Sequence, residues 1–273
     1  MPELPEVETV RRGIESVVIR QKILQVHRSV HFLRGNFTAI KNYQLKGQII
    51  KKVQRRAKYL LLCFVNQEIF MIHLGMSGQL LINPLEQTVH DHLLIVLSSN
   101  NRIVYRDPRR FGMLATYKNI AAFEQEKMLG PDGNSAQLTA KYLKQVCQNK
   151  KKTIKALLMD QKIIAGIGNI YASEILFSAK ISPFKTSIQL TENEYNKITI
   201  HIKKILKKAI TAGGTSLKDH RQANGNLGYF QYKLNVYKKA GTLCNVCKLT
   251  IQQCIQSGRY TFYCPQCQKV DQT

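Results

Sequence analysis

Four cysteines near the end of the chain restrict its fold more than any other feature. They form two Cys-x2-Cys pairs with sixteen residues between the pairs. This spacing is typical of a structural zinc ion that is bound by four thiolates, which leave no position for a catalytic water. Disulfides or free thiols are the alternative, but we expect a cytoplasmic setting, where disulfides are rare. We therefore predict one structural Zn²⁺ ion on Cys244, Cys247, Cys264 and Cys267.

The segment between the two cysteine pairs has the pattern of a β-hairpin. Residues Ser257 to Tyr263 alternate polar and apolar side chains after a Ser-Gly turn signal. Arg259 lies at the predicted tip. A zinc-stabilised hairpin with an arginine at its tip fits a groove of DNA.

The chain is also strongly basic. Its 273 residues include 41 Lys and Arg against 17 Asp and Glu, which gives a formal charge of +24. In a folded protein this excess indicates a polyanionic partner, either nucleic acid or an anionic membrane surface. The sequence has no long basic amphipathic helix with aromatic anchors, and no apolar run near the roughly 18 residues of a membrane span. We therefore expect a cytoplasmic nucleic-acid-binding protein with no membrane segment.

The first residues, Met1-Pro2-Glu3-Leu4-Pro5-Glu6, carry a candidate nucleophile. Removal of Met1 leaves a secondary amine on Pro2, and such an amine can hold a sugar aldehyde carbon as an iminium. Glu3 is placed to move the protons that this step requires. The alternative is an ordinary helix start, in which Pro5 occupies the first turn and the glutamates complement the helix dipole.

The order of predicted elements indicates an α+β protein with several domains. Apolar residues at helical spacing predict an amphipathic helix over residues 5–18. Short β-branched and apolar runs between turn signals then predict an antiparallel sandwich, whereas the chain is helical beyond a turn-rich segment at 129–135. A further helix is predicted from Thr191 to Ala212. The predicted strands are Ile49–Val53, Tyr59–Val65, Ile69–Leu74, Gln79–Ile82, Leu93–Leu97, Arg102–Arg106 and Met113–Tyr117.

Basic and apolar side chains interrupt this β region at three turns. Lys58 precedes an apolar strand, where it either extends its ammonium to solvent or takes part in chemistry. Met76 lies in a glycine-flanked turn, and Arg109 with Phe111 lies in another. Apolar residues at loop tips usually cover small cores, but in a basic protein they can also enter a duplex and unstack it.

Seven blocks of the sequence, in order, resemble the bacterial formamidopyrimidine-DNA glycosylase family, which removes 8-oxoguanine from DNA. The resemblance extends over nearly the whole chain. It implies an N-terminal β-sandwich with an N-terminal helix, a helix-two-turn-helix domain and a C-terminal β-hairpin zinc finger, with DNA as the partner. The blocks are MPELPEVETVRRG (1–13), QRRAKYLL (54–61), HLGMSG (73–78), DPRRFG (107–112), GIGNIYASE (166–174), GGTSLKD (213–219) and TFYCPQCQ (261–268).

The resemblance also implies domain bounds and an activity. The domains are a catalytic sandwich at 1–130, a linker at 131–138, a helical DNA-binding domain at 139–232 and a zinc finger at 235–269. The implied activity is that of a bifunctional DNA glycosylase and abasic-site lyase for oxidised purines (8-oxoguanine and formamidopyrimidines) in duplex DNA. Residues 215–229 correspond to a loop over the extruded base. We expect a monomer, because no oligomerisation motif is evident.

Individual residues take roles from this resemblance. Pro2 attacks C1′ of the damaged nucleotide, with Glu3 as its acid/base partner. Lys58 is the proton donor associated with β-elimination, and Arg259 is associated with δ-elimination. Extrusion of a nucleotide costs a few kcal/mol of stacking, which inserted side chains offset. The implied backbone contacts are His90, Arg109, Lys151, Asn169 and Arg259, and the implied gap-filling residues are Met76, Arg109 and Phe111.

Two alternatives remain at this stage. An endonuclease VIII-type glycosylase would prefer oxidised pyrimidines, but Leu4 and the combination of Met76, Arg109 and Phe111 oppose it. A non-catalytic zinc-finger DNA-binding protein explains the charge and the cysteines equally well. It leaves the Pro2-Glu3 start and Lys58 unexplained.

Overall fold

The computed structural model describes residues 1–30, 33, 42–215 and 229–269. The chain divides into two compact units. The first contains residues 1–128 and 210–231, and the second contains residues 129–209 and 232–273. The domain bounds given above stay a prediction.

The first unit begins with helix α1, Leu4–Val18, which starts one residue earlier than predicted. Its apolar face is buried, with Val7, Val10 and Ile14 almost fully inaccessible to solvent. A short helix, α2 (Asn42–Leu45), and an eight-residue helix, α3 (Ile120–Lys127), complete the helices that lie wholly within this unit. The strands of the unit are β1 (Ile23–Arg28), β2 (Ile50–Arg56), β3 (Tyr59–Phe64), β4 (Ile69–His73), β5 (Gln79–Ile82), β6 (Asp91–Leu97), β7 (Arg102–Arg106) and β8 (Met113–Tyr117).

These strands form two antiparallel four-stranded sheets, which confirms the predicted sandwich. One sheet has the order β1-β6-β7-β5 and the other has the order β2-β3-β4-β8. Apolar side chains of both sheets and of α1 share a single buried cluster. The helix therefore packs against the strands, and this packing fixes the position of the chain terminus.

The second unit is mainly helical, as the sequence predicts. Its central helix, α6 (Asn169–Ala179), is buried on almost every side, which is unusual for a helix of a small domain. The long helix α7 (Glu192–Thr211) begins with the predicted capping box, in which the Thr191 N–H donates to the Glu194 carboxylate over 2.8 Å. Its last two residues belong to the first unit. The helices are α4 (Ala140–Cys147), α5 (Ile154–Leu158), α6 (Asn169–Ala179) and α7 (Glu192–Thr211).

The second unit also contains a two-stranded sheet. Strands β9 (Gln252–Gln256) and β10 (Arg259–Tyr263) are antiparallel and are joined by Ser257 and Gly258. The predicted hairpin is therefore confirmed. Among the described residues, no helix is long and apolar enough to cross a bilayer.

Candidate active site and metal centre

The chain terminus is held at the positive end of α1. Glu3 caps the helix and is 2% exposed, and Pro2 is buried, whereas Met1 is exposed. The Glu3 N–H donates to Oε2 of Glu6 over 2.8 Å. The structure therefore places the candidate nucleophile and its candidate acid/base partner together, at a helix end that favours negative charge.

Glu6 also binds a segment that is more than two hundred residues away in sequence. Its Oε1 accepts the Thr215 N–H over 2.8 Å, across a sequence separation of 209. Gly214 precedes this contact with a φ of +75°, and a Cβ there would lie 3.1 Å from Oε1 of Glu6. The Gly213-Gly214 pair was the sequence signal for this approach. The predicted loop over the base continues from this point, and residues 216–228 lie outside the described residues.

Lys58 lies in a two-residue turn between β2 and β3. Arg56 pairs with Tyr59 to close this turn, and Ala57 adopts a left-handed φ of +54°. The Lys58 side chain is largely buried. The ring of Tyr59 packs on Phe123 of α3 with a centroid distance of 5.5 Å. The lysine is thus carried by a short, well-supported turn rather than by an exposed loop.

The three predicted gap-filling residues lie on two loops that are in contact. Met76 is 39% exposed and Phe111 is 42% exposed. The guanidinium carbon of Arg109 lies 5.1 Å from the centre of the Phe111 ring, at the distance of a cation–π contact. A Cβ on Gly75 would lie 2.4 Å from the Phe111 backbone, so the loops approach too closely for any other residue there.

A fully buried carboxylate, Asp107, joins these two loops. It accepts hydrogen bonds from the Ser77 hydroxyl over 2.5 Å, the Gly112 N–H over 2.8 Å and the Tyr105 hydroxyl over 3.2 Å. The Ser77 hydroxyl oxygen in turn accepts the Arg109 N–H over 3.1 Å. Burial, together with the Asp107 charge, raises the pKa of Tyr105, so this phenol stays protonated as a donor. Asp107 was not predicted as a functional residue, although the sequence shows its Asp-Pro turn signal.

His90 belongs to the same region of the first unit. Its side chain is exposed, and its backbone oxygen accepts the Asp107 N–H over 3.0 Å. His92 supports the Asp107 backbone, since its Nε2 lies 3.0 Å from the Asp107 oxygen. The structure therefore brings His90 close to the Arg109 loop.

The second unit brings Asn169 and Arg259 together at the zinc-finger hairpin. Asn169, the first residue of α6, donates its Nδ2 to the oxygen of Tyr260 over 2.9 Å, and Tyr260 directly follows the exposed Arg259. Lys155 donates to the same oxygen over 3.0 Å and to Oγ1 of Thr261 over 2.7 Å. Sequence reasoning did not assign a role to Lys155, and its lysine-rich neighbourhood concealed it. Lys151 is exposed, and no described contact joins it to this cluster.

Lys155 is buried beside charged and ionisable neighbours. Its pKa is lowered to about 8, mainly because of burial; Cys254 acts in the opposite direction, and the charge of Arg259 also lowers the pKa. Its ammonium nevertheless has two oxygen partners on the hairpin. This lysine therefore attaches the hairpin to α5.

The four predicted zinc ligands lie in one cluster. Their sulfur atoms are all within 4.8 Å of one another, with Cys247 and Cys264 at 3.3 Å and Cys244 and Cys267 at 3.8 Å. A tetrahedral zinc ion with bonds of about 2.3 Å requires sulfur atoms about 3.8 Å apart, so this cluster fits the ion. The ion would stabilise the fold of the finger and supply no catalytic water.

A buried carboxylate holds the segment that leads into the finger. Glu174 of α6 is buried, and one carboxylate oxygen accepts the N–H groups of Val236 and Tyr237, each over 2.9 Å. The other oxygen accepts the Asn235 N–H over 2.9 Å. A buried charge with this many donors is stable and orients the backbone that it binds.

Comparisons with known proteins cover the full length of this arrangement. The family model of the Formamidopyrimidine-DNA glycosylase N-terminal domain matches residues 1–114, and the model of the H2TH domain of the same enzyme matches residues 129–221. The model of the zinc finger found in FPG and IleRS matches residues 241–270. The chain belongs to the formamidopyrimidine-DNA glycosylase family.

Individual relatives agree with this assignment. The formamidopyrimidine-DNA glycosylase of Salmonella choleraesuis is 44% identical over 271 residues, covering 98% of this chain and 100% of the relative. The enzyme of Rhodopseudomonas palustris is 38% identical over 295 residues, with the same coverage. Among solved structures, Lactococcus lactis Fpg in complex with abasic-site DNA has a TM-score of 0.90 at 33% identity, covering 98% and 100% of the two chains. The Thermus thermophilus MutM (FPG) protein has a TM-score of 0.87 at 35% identity, covering 98% of each.

Family membership establishes the activity and the metal. The protein is a DNA glycosylase and abasic-site lyase of base excision repair that acts on oxidised purines in DNA, and its finger binds one structural zinc ion. The endonuclease VIII-type and non-catalytic zinc-finger alternatives are therefore not favoured.

Proposed function

We propose that Pro2 is the nucleophile of this glycosylase and Glu3 its acid/base partner. Once Met1 is removed, the nitrogen of Pro2 forms a bond to C1′ of the damaged nucleotide. The glycosidic bond breaks, and its electron pair leaves with the base, which takes up a proton. Opening of the sugar ring then gives an iminium on Pro2. The observation that carries this proposal is the burial of Pro2 and Glu3 together at the start of α1, next to an exposed Met1.

Strand cleavage follows from the same covalent intermediate. The iminium acidifies the C2′ hydrogen, and loss of this proton expels the 3′ phosphate by β-elimination. A second elimination expels the 5′ phosphate. We assign proton transfer during the first elimination to Lys58 and a role in the second to Arg259. These two assignments are supported by the burial of Lys58 in a short turn and by the exposure of Arg259 at the start of β10.

The remaining site residues are proposed to hold the DNA. His90, Arg109, Lys151, Asn169 and Arg259 bind backbone phosphates near the lesion, because each offers a donor or a positive charge. Met76, Arg109 and Phe111 fill the space that the extruded nucleotide leaves. The support is their exposure on two loops that contact each other and share Asp107.

The lesion class also rests on the solved relatives. Wild-type Lactococcus lactis Fpg has been solved with DNA that contains N7-Benzyl-Fapy-dG and with DNA that contains an oxidised pyrimidine, and a mutant of it has been solved with Fapy-dG DNA. We propose that this chain prefers the purine lesions. Cleavage rates on otherwise identical duplexes with 8-oxoguanine or an oxidised pyrimidine measure this preference, and faster cleavage of the pyrimidine duplex would contradict it.

The nucleophile is tested by trapping the intermediate. Borohydride reduction in the presence of a duplex with 8-oxoguanine opposite cytosine should give a covalent adduct, and peptide mapping should locate the adduct on Pro2. The matched control is a preparation that retains Met1, which should give no adduct. An adduct on an internal lysine, or full activity with Met1 attached, would show that Pro2 is not the nucleophile.

We further propose that the chain acts as a monomer in the bacterial cytoplasm, at the nucleoid. A duplex substrate and the charge of +24 support the location. We also propose that the domains follow the bounds 1–130, 139–232 and 235–269, with 131–138 as a linker. Sedimentation of the purified chain with and without DNA measures the oligomeric state, and a dimer in either sample would contradict the proposal of a monomer.

A further inference from the structure

The guanidinium group of Arg55 ties the turn that carries Lys58 to α1. The Nε of Arg55 donates to Oε2 of Glu8 over 3.1 Å, and its Nη1 donates to the oxygen of Ala57 over 3.2 Å. The Arg55 side chain is only 7% exposed. The two bonds therefore form in a region from which water is largely excluded, where charge-assisted bonds are strong.

The bond to Ala57 acts on the peptide bond next to Lys58. The Ala57 oxygen belongs to the peptide bond that joins Ala57 to Lys58, so the direction of this oxygen determines the orientation of the Lys58 backbone. Ala57 has a φ of +54°, a left-handed conformation that is unfavourable for a residue with a Cβ. The Arg55 guanidinium supplies a restraint on this turn.

Glu8 is a stable anchor for this guanidinium. Burial raises the pKa of Glu8, but hydrogen bonds from Arg11 and Arg12 and the nearby charge of Arg55 outweigh this effect and lower the pKa below its ordinary value. The carboxylate therefore stays ionised. Glu8 lies five residues beyond Glu3 on the same helix, or about 7.5 Å along its axis.

We propose that Arg55 is a positioning residue, which holds Lys58 in register with the terminus of α1 so that the lysine can serve the elimination step. This inference rests on the role that the proposed function gives to Lys58. Arg55 touches neither the substrate nor the reacting atoms. It acts through the Ala57 peptide, and Glu8 acts through Arg55.

The first test variant is Arg55→Lys. A lysine keeps the positive charge next to Glu8, but one ammonium cannot reach Glu8 and the Ala57 oxygen in the geometry of a guanidinium fork. Single-turnover reactions on the 8-oxoguanine duplex should show borohydride trapping within about twofold of wild type, whereas strand scission slows about tenfold. A general loss of structure would lower both signals, so their ratio isolates positioning.

Arg12→Lys is the matched control. Arg12 also donates to Glu8, over 2.9 Å to Oε1, but its side chain is 58% exposed and the bond does not reach the turn. This variant should trap and cleave like wild type. Glu8→Gln provides a second route in case Arg55→Lys folds poorly, and it should slow scission in the same direction by a smaller factor.

The pathway through Lys58 is tested with a double variant. Scission by Arg55→Lys/Lys58→Gln should be no slower than scission by Lys58→Gln alone, because residues that act as a unit are not additive. A double variant that is slower by the full factor of Arg55→Lys would overturn the inference, as would trapping that falls in parallel with scission. If Lys58→Gln alone cleaves the strand at the wild-type rate, Lys58 has no role in the elimination. The inference about Arg55 then fails because the proposed function of Lys58 fails.

Discussion

Replacement of Asp107 by asparagine tests whether the two loops that carry Met76, Arg109 and Phe111 depend on one buried carboxylate. The side chain is fully buried and accepts hydrogen bonds from Ser77, Gly112 and Tyr105. Asparagine has the same shape, but it is neutral and offers a single acceptor oxygen. That oxygen can retain Gly112 and Tyr105, while the amide nitrogen then faces the Ser77 oxygen, which already accepts the Arg109 N–H.

The expected cost follows from these contacts. Hydrogen bonds to a charged group contribute about 1.5–3 kcal/mol each, and a neutral replacement retains part of each bond, so Asp107→Asn should cost about 2–3 kcal/mol. For a unit of this size the loss corresponds to a decrease of about 5–10 °C in Tm. Tyr105→Phe removes only the longest of the three bonds and should cost about 1 kcal/mol, which makes it the matched control.

Two measurements separate stability from function. Thermal unfolding followed by circular dichroism gives the change in Tm. Binding to an 8-oxoguanine duplex below the Tm of the variant should weaken about tenfold or more, because Met76, Arg109 and Phe111 lose their common support. An Asp107→Asn protein that is as stable as wild type would refute the account of the buried carboxylate. A destabilised protein with unchanged affinity would refute its link to the loops.

Three further predictions concern the second unit and the overall charge. The pKa of Lys155 in the folded state is about 8, below its ordinary value of 10.5, so the folded state binds fewer protons than the unfolded state between these pH values. The free energy of unfolding therefore rises with pH in this window. Lys155→Gln should lose this rise, which unfolding experiments across the window measure. Removal of zinc by a chelator should abolish duplex binding but leave a weak reaction of Pro2 with a free abasic sugar, and equal activity without metal would contradict this. Binding should weaken steeply with salt, and Lys151→Ala should reduce the slope of log K against log salt by about 0.9; an unchanged slope would show that Lys151 contacts no phosphate.

Most strands of the sandwich could be predicted from short β-branched and apolar runs in the sequence. Gln79–Ile82, Arg102–Arg106 and Met113–Tyr117 have the predicted bounds, because turn residues delimit each run. Strand β1 was missed for a physical reason. A register shift between Ile23 and Gln25 places Ile23 and Val26 inward, three residues apart, so the period-two signal is lost. Helix α3 was missed because Phe123 is its one buried residue, which leaves no periodic pattern to detect.

The site separates into residues that local sequence reveals and residues that only the fold reveals. The cysteine pairs and the Pro2-Glu3 start are local patterns, and they could be read directly. Arg55 and Arg56 are adjacent and identical in type, yet Arg55 binds Glu8, 47 residues away, and Arg56 binds Glu124, 68 residues away. Because successive side chains of a strand point to opposite faces, only the pairing of β2 with its neighbours decides which arginine reaches α1. A sequence therefore identifies the groups that can react, whereas the residues that position them become visible only when distant elements are packed together.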